Sequence, residues 1–195
     1  MKLGIFGGTF NPPHIGHVIV AESVRDQLQF DSVVFVPSAN PPNKHDRSIA
    51  PAADRLHMTK LAIHGNKYFD ISDIETQRGG ISYTIDTVNA FTERYPRASL
   101  SLIIGVDNLL EFQTWKSPDD ILAKVDLVAM SRPGFSAQHD HGKYSKFVTF
   151  VNVPHIGISG TEIRRRIKMG RSIRYLVPQS VEEYILHRGL YKEVG

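Results

Sequence analysis

Cysteine is absent from this 195-residue chain, which removes disulfides, thiolate nucleophiles and zinc–thiolate sites together. No apolar run approaches the length of a membrane span, and the N-terminal MKLGIFGG lacks the apolar core of a secretion signal. A cytoplasmic protein with no membrane contact is the simplest expectation. The two commonest nucleotide fingerprints are also missing: there is no GxxxxGK[ST], and no GxGxxG follows the first apolar run. Excess charge is scarce, with 23 Lys and Arg against 20 Asp and Glu and a formal net charge of +3. That is too mild for a nucleic-acid footprint, and no basic stripe interleaved with aromatics supplies one. It suits a small anionic substrate. No repeat, low-complexity tract or linker divides the chain, so a single domain over residues 1–195 is expected. Nothing in the sequence speaks to oligomeric state.

What is present is an alternation. LGIF (3–6), SVVFVP (32–37), SLSLIIGV (99–106), VDLVAMS (125–131) and FVTFVNV (147–153) are short, apolar runs of the kind that form buried strands. YFDISDIE (68–75) alternates like a further strand. Between them lie segments of helical spacing at 15–28, 51–64 and from Ser82 to Pro96, short helices near 108–113 and 118–124, and two closing helices in ISGTEIRRRIKMG and QSVEEYILHRG. Apolar strands alternating with helices predict an α/β fold, a Rossmann-like doubly wound parallel sheet with helices on both faces. Ligands of such sheets bind at the carboxyl ends of the strands, where the strand order reverses.

GTFNPPHIGH (8–17) follows the first strand directly. Gly7 and Gly8 permit a sharp turn and remove side chains that would hold a phosphate away. Pro12 and Pro13 keep the chain extended, so a helix cannot start before about His14. His14 and His17 then stand one turn apart at a helix N-terminus, with Gly16 leaving room between them. Free amides and the helix dipole favour an anion there, and two imidazoles, donating or protonated, add directed hydrogen bonds. A metal site is the competing reading, but no acidic partner stands nearby. Near the other end, Ser159 and Glu162 match a capping box that opens a helix. Arg164, Arg165 and Arg166 follow in its first turns, where they oppose the dipole unless an anion lies there. Ser159, Thr161 and Arg164 are the candidates for that anion, with Arg165 and Arg166 pointing elsewhere. Asp107 follows the strand LIIGV at its carboxyl end, where it can face a ligand or cap the next helix.

The opening GIFGGTFNPPHIGH and the late ISGTEIR resemble the two signatures of the HxGH nucleotidylyltransferases. PPNK (41–44), SDIETQRGGISYTIDT (72–87), IIGVDNLLEFQTWK (103–116) and VAMSRPG (128–134) make the chain similar to the bacterial nicotinate-nucleotide adenylyltransferases. The resemblance implies transfer of the adenylyl group of ATP to nicotinate mononucleotide, with Mg²⁺ carried by the ATP and no dedicated metal site. It implies catalysis by His14, His17 and Arg164, with ATP and its phosphates held by Gly7, Gly8, Thr9, Phe10, Lys44, Gly105, Asp107, Arg132, Ser159 and Thr161. Trp115 would stack on the pyridine ring, and the backbone at Tyr83 and Thr84 would face the nicotinate carboxylate. Asn11, Asn43, Asn108 and Gly160 depart from the family pattern, which commonly has Asp, His, a small hydroxyl residue and Ser in those places. Two alternatives stand beside this reading: the same chemistry on nicotinamide mononucleotide or phosphopantetheine, and a nucleotide-binding protein without turnover.

Overall fold

The computed structural model describes residues 1–40, 49–131 and 143–192. Lys44 and Arg132 lie outside the described residues. Six strands, β1 (Lys2–Gly8), β2 (Ser32–Pro37), β3 (Phe69–Ile71), β4 (Ser99–Gly105), β5 (Asp126–Ser131) and β6 (Val148–Asn152), form one sheet. Their order is β3-β2-β1-β4-β5-β6 and every pairing is parallel. The order reverses between β1 and β4, so the crevice expected of such a sheet opens at Gly7–Gly8 and Gly105.

The apolar runs look uniform in sequence, yet the two-residue strand period sorts them onto opposite faces. Ile5, Val34, Val36, Leu102, Ile104 and Leu127 face one layer, where α4 (Thr84–Arg94) contributes Ile85, Val88 and Phe91. Phe6, Val33, Phe35, Ile103 and Val128 face the other, against Ala21 and Val24 of α1 (Ile15–Leu28). α1 has the predicted bounds, but its buried face is narrower than its apolar pattern: Gly16, Ala21 and Val24 are buried while Ile19 is exposed. Small residues let the helix lie close on the sheet.

A third cluster joins α2 (Ala52–Ile63), through Met58, to Ile163 and Val181 of the two last helices of the chain. Packing the end of the chain onto α2 brings the late helix against the first loop. One expectation is corrected. The strand predicted over 68–75 stops at Ile71, and Ile74–Arg78 forms a short helix, α3. The Ser72 amide makes the last link to the sheet by donating to Phe35 O, and the Gln77 amide then turns back to Asp73 O. This rotation carries Glu75 inward, where it accepts a hydrogen bond from Thr87 Oγ1.

Candidate active site

β1 ends at Gly8, and the chain runs through Thr9–Pro13 to His14, the N-cap of α1. Where the prolines predicted the helix to begin, it begins. A Cβ on Gly7 would meet nothing within 4 Å, so that position opens into the crevice. Gly8 has a different reason: a Cβ there would come within 2.9 Å of the Phe10 ring. Phe10 holds a left-handed backbone at φ 46. Its buried ring packs edge-on against His17 with centroids 5.1 Å apart. Phe10 therefore supports the loop from beneath.

His14 and His17 are stacked, with ring centroids 3.7 Å apart. Gly16 does not hold them apart as expected; it lets the His14 ring lie down on the helix, since a Cβ would stand 3.0 Å from His14 Nδ1. His17 Nδ1 accepts the His14 backbone N–H at 3.1 Å. Burial brings the His14 pKa down to about 4. Burial, and then the nearby His14 charge, hold His17 well below its ordinary value. Both rings are thus neutral at pH 7 in the ligand-free protein, which selects the donating form over the protonated one. A neutral imidazole that accepts at Nδ1 carries its hydrogen on Nε2, so one backbone amide sets His17 as a donor. The bare amides of the helix end contribute less than expected. That of Ile15 already donates to Leu176 O, and that of His17 to His14 O.

The buried His14 carries a stability consequence. Unfolded, its imidazole protonates near the usual 6.5; folded, near 4. Between those values the unfolded chain binds more protons, so stability is full above pH 6.5 and falls as the pH drops towards 4. His14 alone should make the protein about 2 kcal/mol less stable at pH 5 than at pH 7. Urea unfolding of wild type and His14→Gln at both pH values checks this, and equal acid losses in the two proteins would remove His14 as the cause.

Two cavities open at the carboxyl edge of the sheet. The first, of about 300 Å³, is lined by His14 and His17, by Gly105 and Asp107 after β4, and by His155 and Ile156 after β6. The second, of about 750 Å³, is lined by Thr9, Ser38, Glu75, Tyr83, Thr84 and Trp115. They share Gly7, Gly8, Ile104 and Asn108, so two molecules bound there would meet beside the histidine loop. Each cavity has a buried polar atom with no protein partner among the described residues: His14 Nδ1 in the first and Ser38 Oγ in the second. Such atoms call for a ligand, a water or an ion.

The late helix, α7 (Gly160–Lys168), stands beside the crevice; Ser159, Thr161 and Arg164 are not on the wall of either cavity. Ser159 Oγ caps the helix by accepting the Glu162 amide at 3.2 Å. The reciprocal half of the capping box is missing, because the Glu162 carboxylate pairs with Arg165 at 2.7 Å. Arg166 donates to Ser172 O, so the second and third arginines point away as expected. Arg164 turns to the first loop and donates from Nη1 to Asn11 O at 2.9 Å. Gly160 makes this approach possible: a Cβ there would be 2.8 Å from that same carbonyl oxygen. Asp107 does not cap the helix after β4. Gly105 takes the cap of α5 (Val106–Glu111), and Asp107 sits in its first turn.

Sequence reasoning missed several lining residues. Asn108 was visible as a departure from the family pattern, and it stands where the cavities join. Glu75 was hidden by the strand expectation. Lys116, over the Tyr83 ring at 4.4 Å and 3.8 Å from Asp86, brings a cation to the rim of the second cavity. No periodicity marks such a residue.

The cytidylyltransferase-like family model matches residues 5–166. A protein of Salinibacter ruber named "Probable nicotinate-nucleotide adenylyltransferase" is 41% identical over 192 residues, 98% of each chain. One of Rubrobacter xylanophilus with the same name is 45% identical over 198 residues, covering 98% of this chain and 92% of the relative. The solved Plasmodium falciparum nicotinic acid mononucleotide adenylyltransferase superposes over 97% of both chains with a TM-score of 0.79 at 19% identity, which shows the shared fold. This chain belongs to the cytidylyltransferase-like family and, within it, to the nicotinate-nucleotide adenylyltransferases.

Proposed function

We propose that the protein transfers the adenylyl group of ATP to nicotinate mononucleotide, releasing pyrophosphate and forming nicotinate adenine dinucleotide. The observation that carries this is the pair of cavities that join at Gly7, Gly8 and Asn108 beside two neutral, donating histidines. Condensing two nucleotides requires such a double site with an anion-stabilising junction. The names of the relatives support the substrate, and the Plasmodium protein was solved complexed with NaAD.

In this reading ATP lies in the first cavity, with its ribose towards Gly105 and Asp107 and its phosphates towards Gly7, Gly8 and the histidines. Nicotinate mononucleotide lies in the second, its ring against Trp115 and its carboxylate towards the Tyr83–Thr84 end of α4. An oxygen of its 5′-phosphate attacks the α-phosphorus of ATP, and the bond to the β-phosphate oxygen breaks. His17 Nε2–H donates to an oxygen on which charge grows, and His14 backs it. Arg164, with the α7 N-terminus at Ser159 and Thr161, receives the leaving pyrophosphate. No covalent intermediate on the protein is needed.

Magnesium fits as a companion of the triphosphate. Among the described residues the first cavity offers one carboxylate, Asp107, beside two imidazoles, too few hard oxygen ligands for a protein cage. When bound, the ion offsets phosphate charge, and Asp107 is the residue placed to touch it or its water.

Pyrophosphate release with ATP and Mg²⁺ is the test, with nicotinate mononucleotide, nicotinamide mononucleotide and phosphopantetheine offered in parallel. Turnover should be strongly favoured with the nicotinate form; turnover only with another acceptor, or with none, would reject the assignment. Trp115 lines the second cavity alone. Trp115→Ala should raise KM for nicotinate mononucleotide about tenfold while leaving KM for ATP nearly unchanged. Equal effects on both substrates would count against the division of the site.

A further inference from the structure

The first loop is held by the end of the chain. Tyr191, 180 residues from Asn11, donates its hydroxyl to Asn11 Oδ1 at 2.7 Å. The same oxygen accepts the Ala50 amide at 3.0 Å, and the backbone carbonyl of Asn11 accepts Arg164 Nη1 at 2.9 Å. One buried residue is therefore gripped at both its side chain and its backbone, by three distant segments. Tyr191 reaches it from a left-handed backbone at φ 65, rarely adopted by a bulky residue. Burial raises the Tyr191 pKa and outweighs the Arg164 and Arg55 charges, which pull it down. The hydroxyl therefore stays protonated and donates.

We propose that Tyr191 is a positioning residue for adenylyl transfer: its hydroxyl locks the Asn11 side chain, and the locked Asn11 peptide seats the Arg164 guanidinium at the edge of the phosphate site. This rests on the reading of the site given above. The seat has little slack. A Cβ on Gly160 would already press the Asn11 carbonyl at 2.8 Å, so α7 and the loop are in contact at the backbone. Releasing the Asn11 side chain frees its peptide to shift, and with it the carbonyl that holds Arg164. Thr161 Oγ1 also accepts from this guanidinium, at 3.4 Å from Nη2, a long contact beside the 2.9 Å bond to Asn11 O. The reacting phosphates are charged and compact, so a small misplacement of a charged donor weakens ATP binding measurably and lowers the rate further.

The test uses four full-length proteins: wild type, Tyr191→Phe, Arg164→Ala and the double variant. Tyr191→Phe keeps the buried ring and removes only the hydroxyl. It should lower kcat about tenfold, with KM for nicotinate mononucleotide nearly unchanged and the melting temperature close to wild type. In the Arg164→Ala background the same change should lower kcat no further, because the group it acts through is gone. A wild-type kcat in Tyr191→Phe would overturn the proposal. So would an undiminished tenfold loss in the double variant, or a loss matched by the unfolded fraction. Calorimetric binding of ATP to the four proteins separates this from failure of the transfer reading. Without any wild-type turnover, weaker ATP binding on Tyr191→Phe only while Arg164 is present would still support the seat. Equal binding by wild type and Tyr191→Phe would end it.

Discussion

His17→Ala should lower kcat by about a hundred- to a thousandfold while changing the KM of either nucleotide only a few-fold. The asymmetry follows from the charge state of the ring. Burial keeps His17 neutral in the free protein, so it offers ATP no full positive charge to bind in the ground state. Its Nε2–H is nevertheless aimed in advance, because the His14 amide occupies Nδ1. A hydrogen bond from a fixed neutral donor strengthens as negative charge accumulates on the phosphate oxygen, and that gain appears in kcat. The substitution also removes the stacking partner of His14, 3.7 Å away, so a melting curve must accompany the kinetics. A kcat within about threefold of wild type, in a protein that is still folded, would remove His17 from the chemistry. A KM rise without loss of kcat would make it a ground-state binder instead.

Arg55→Met should destabilise the protein by about 3–5 kcal/mol. Arg55 is 1% exposed. Its guanidinium donates to three backbone carbonyls: Nε to Ala50 O at 2.9 Å, Nη1 to Thr9 O at 2.8 Å and Nη2 to Ala39 O at 2.8 Å. Burial lowers its pKa, opposed by the Glu75 charge. The planar fork matches three acceptors arrayed around one point, a geometry that a lysine cannot reproduce. Removing it takes the guanidinium donor from three carbonyl oxygens, with the bonds to Ala50 O and Ala39 O buried. Against a total stability of about 5–15 kcal/mol for a domain, that loss is large. Urea unfolding measures it directly, and a loss under about 1 kcal/mol would show that water or local movement satisfies the carbonyls. Since Thr9 lines the second cavity, the folded fraction of the variant should also show a raised KM for the acceptor.

Much of this fold is legible in the amino-acid sequence. The bounds of α1 and β2 agree with the sequence reading residue for residue, because prolines and turn residues punctuate the chain at Pro12–Pro13 and Pro37. The parallel order was legible in kind from the alternation of strands and helices. The place of the two cavities followed from it, since ligands of such sheets gather at strand ends. His14 and His17 do come together, because they sit one helical turn apart, though as a stacked pair and not with open space between them.

Where contacts span the chain, local pattern carries no information. Arg55 reads as one polar residue in an ordinary amphipathic helix; only folding turns it inward onto the carbonyls of Thr9, Ala39 and Ala50. Gly160 reads only as a departure from the family's Ser, whereas packing shows that a side chain would strike Asn11 O. Tyr191 carries no motif at all until the chain end reaches the first loop. By itself, then, the sequence determined the sheet, the helix start at His14 and the identity of the two histidines, because backbone preference and residue spacing act over a few positions. The tertiary structure alone decided that those histidines are neutral, that two cavities meet beside them, and that Arg164 is seated on Asn11. Burial and proximity between residues far apart in the chain exist only once the core has closed.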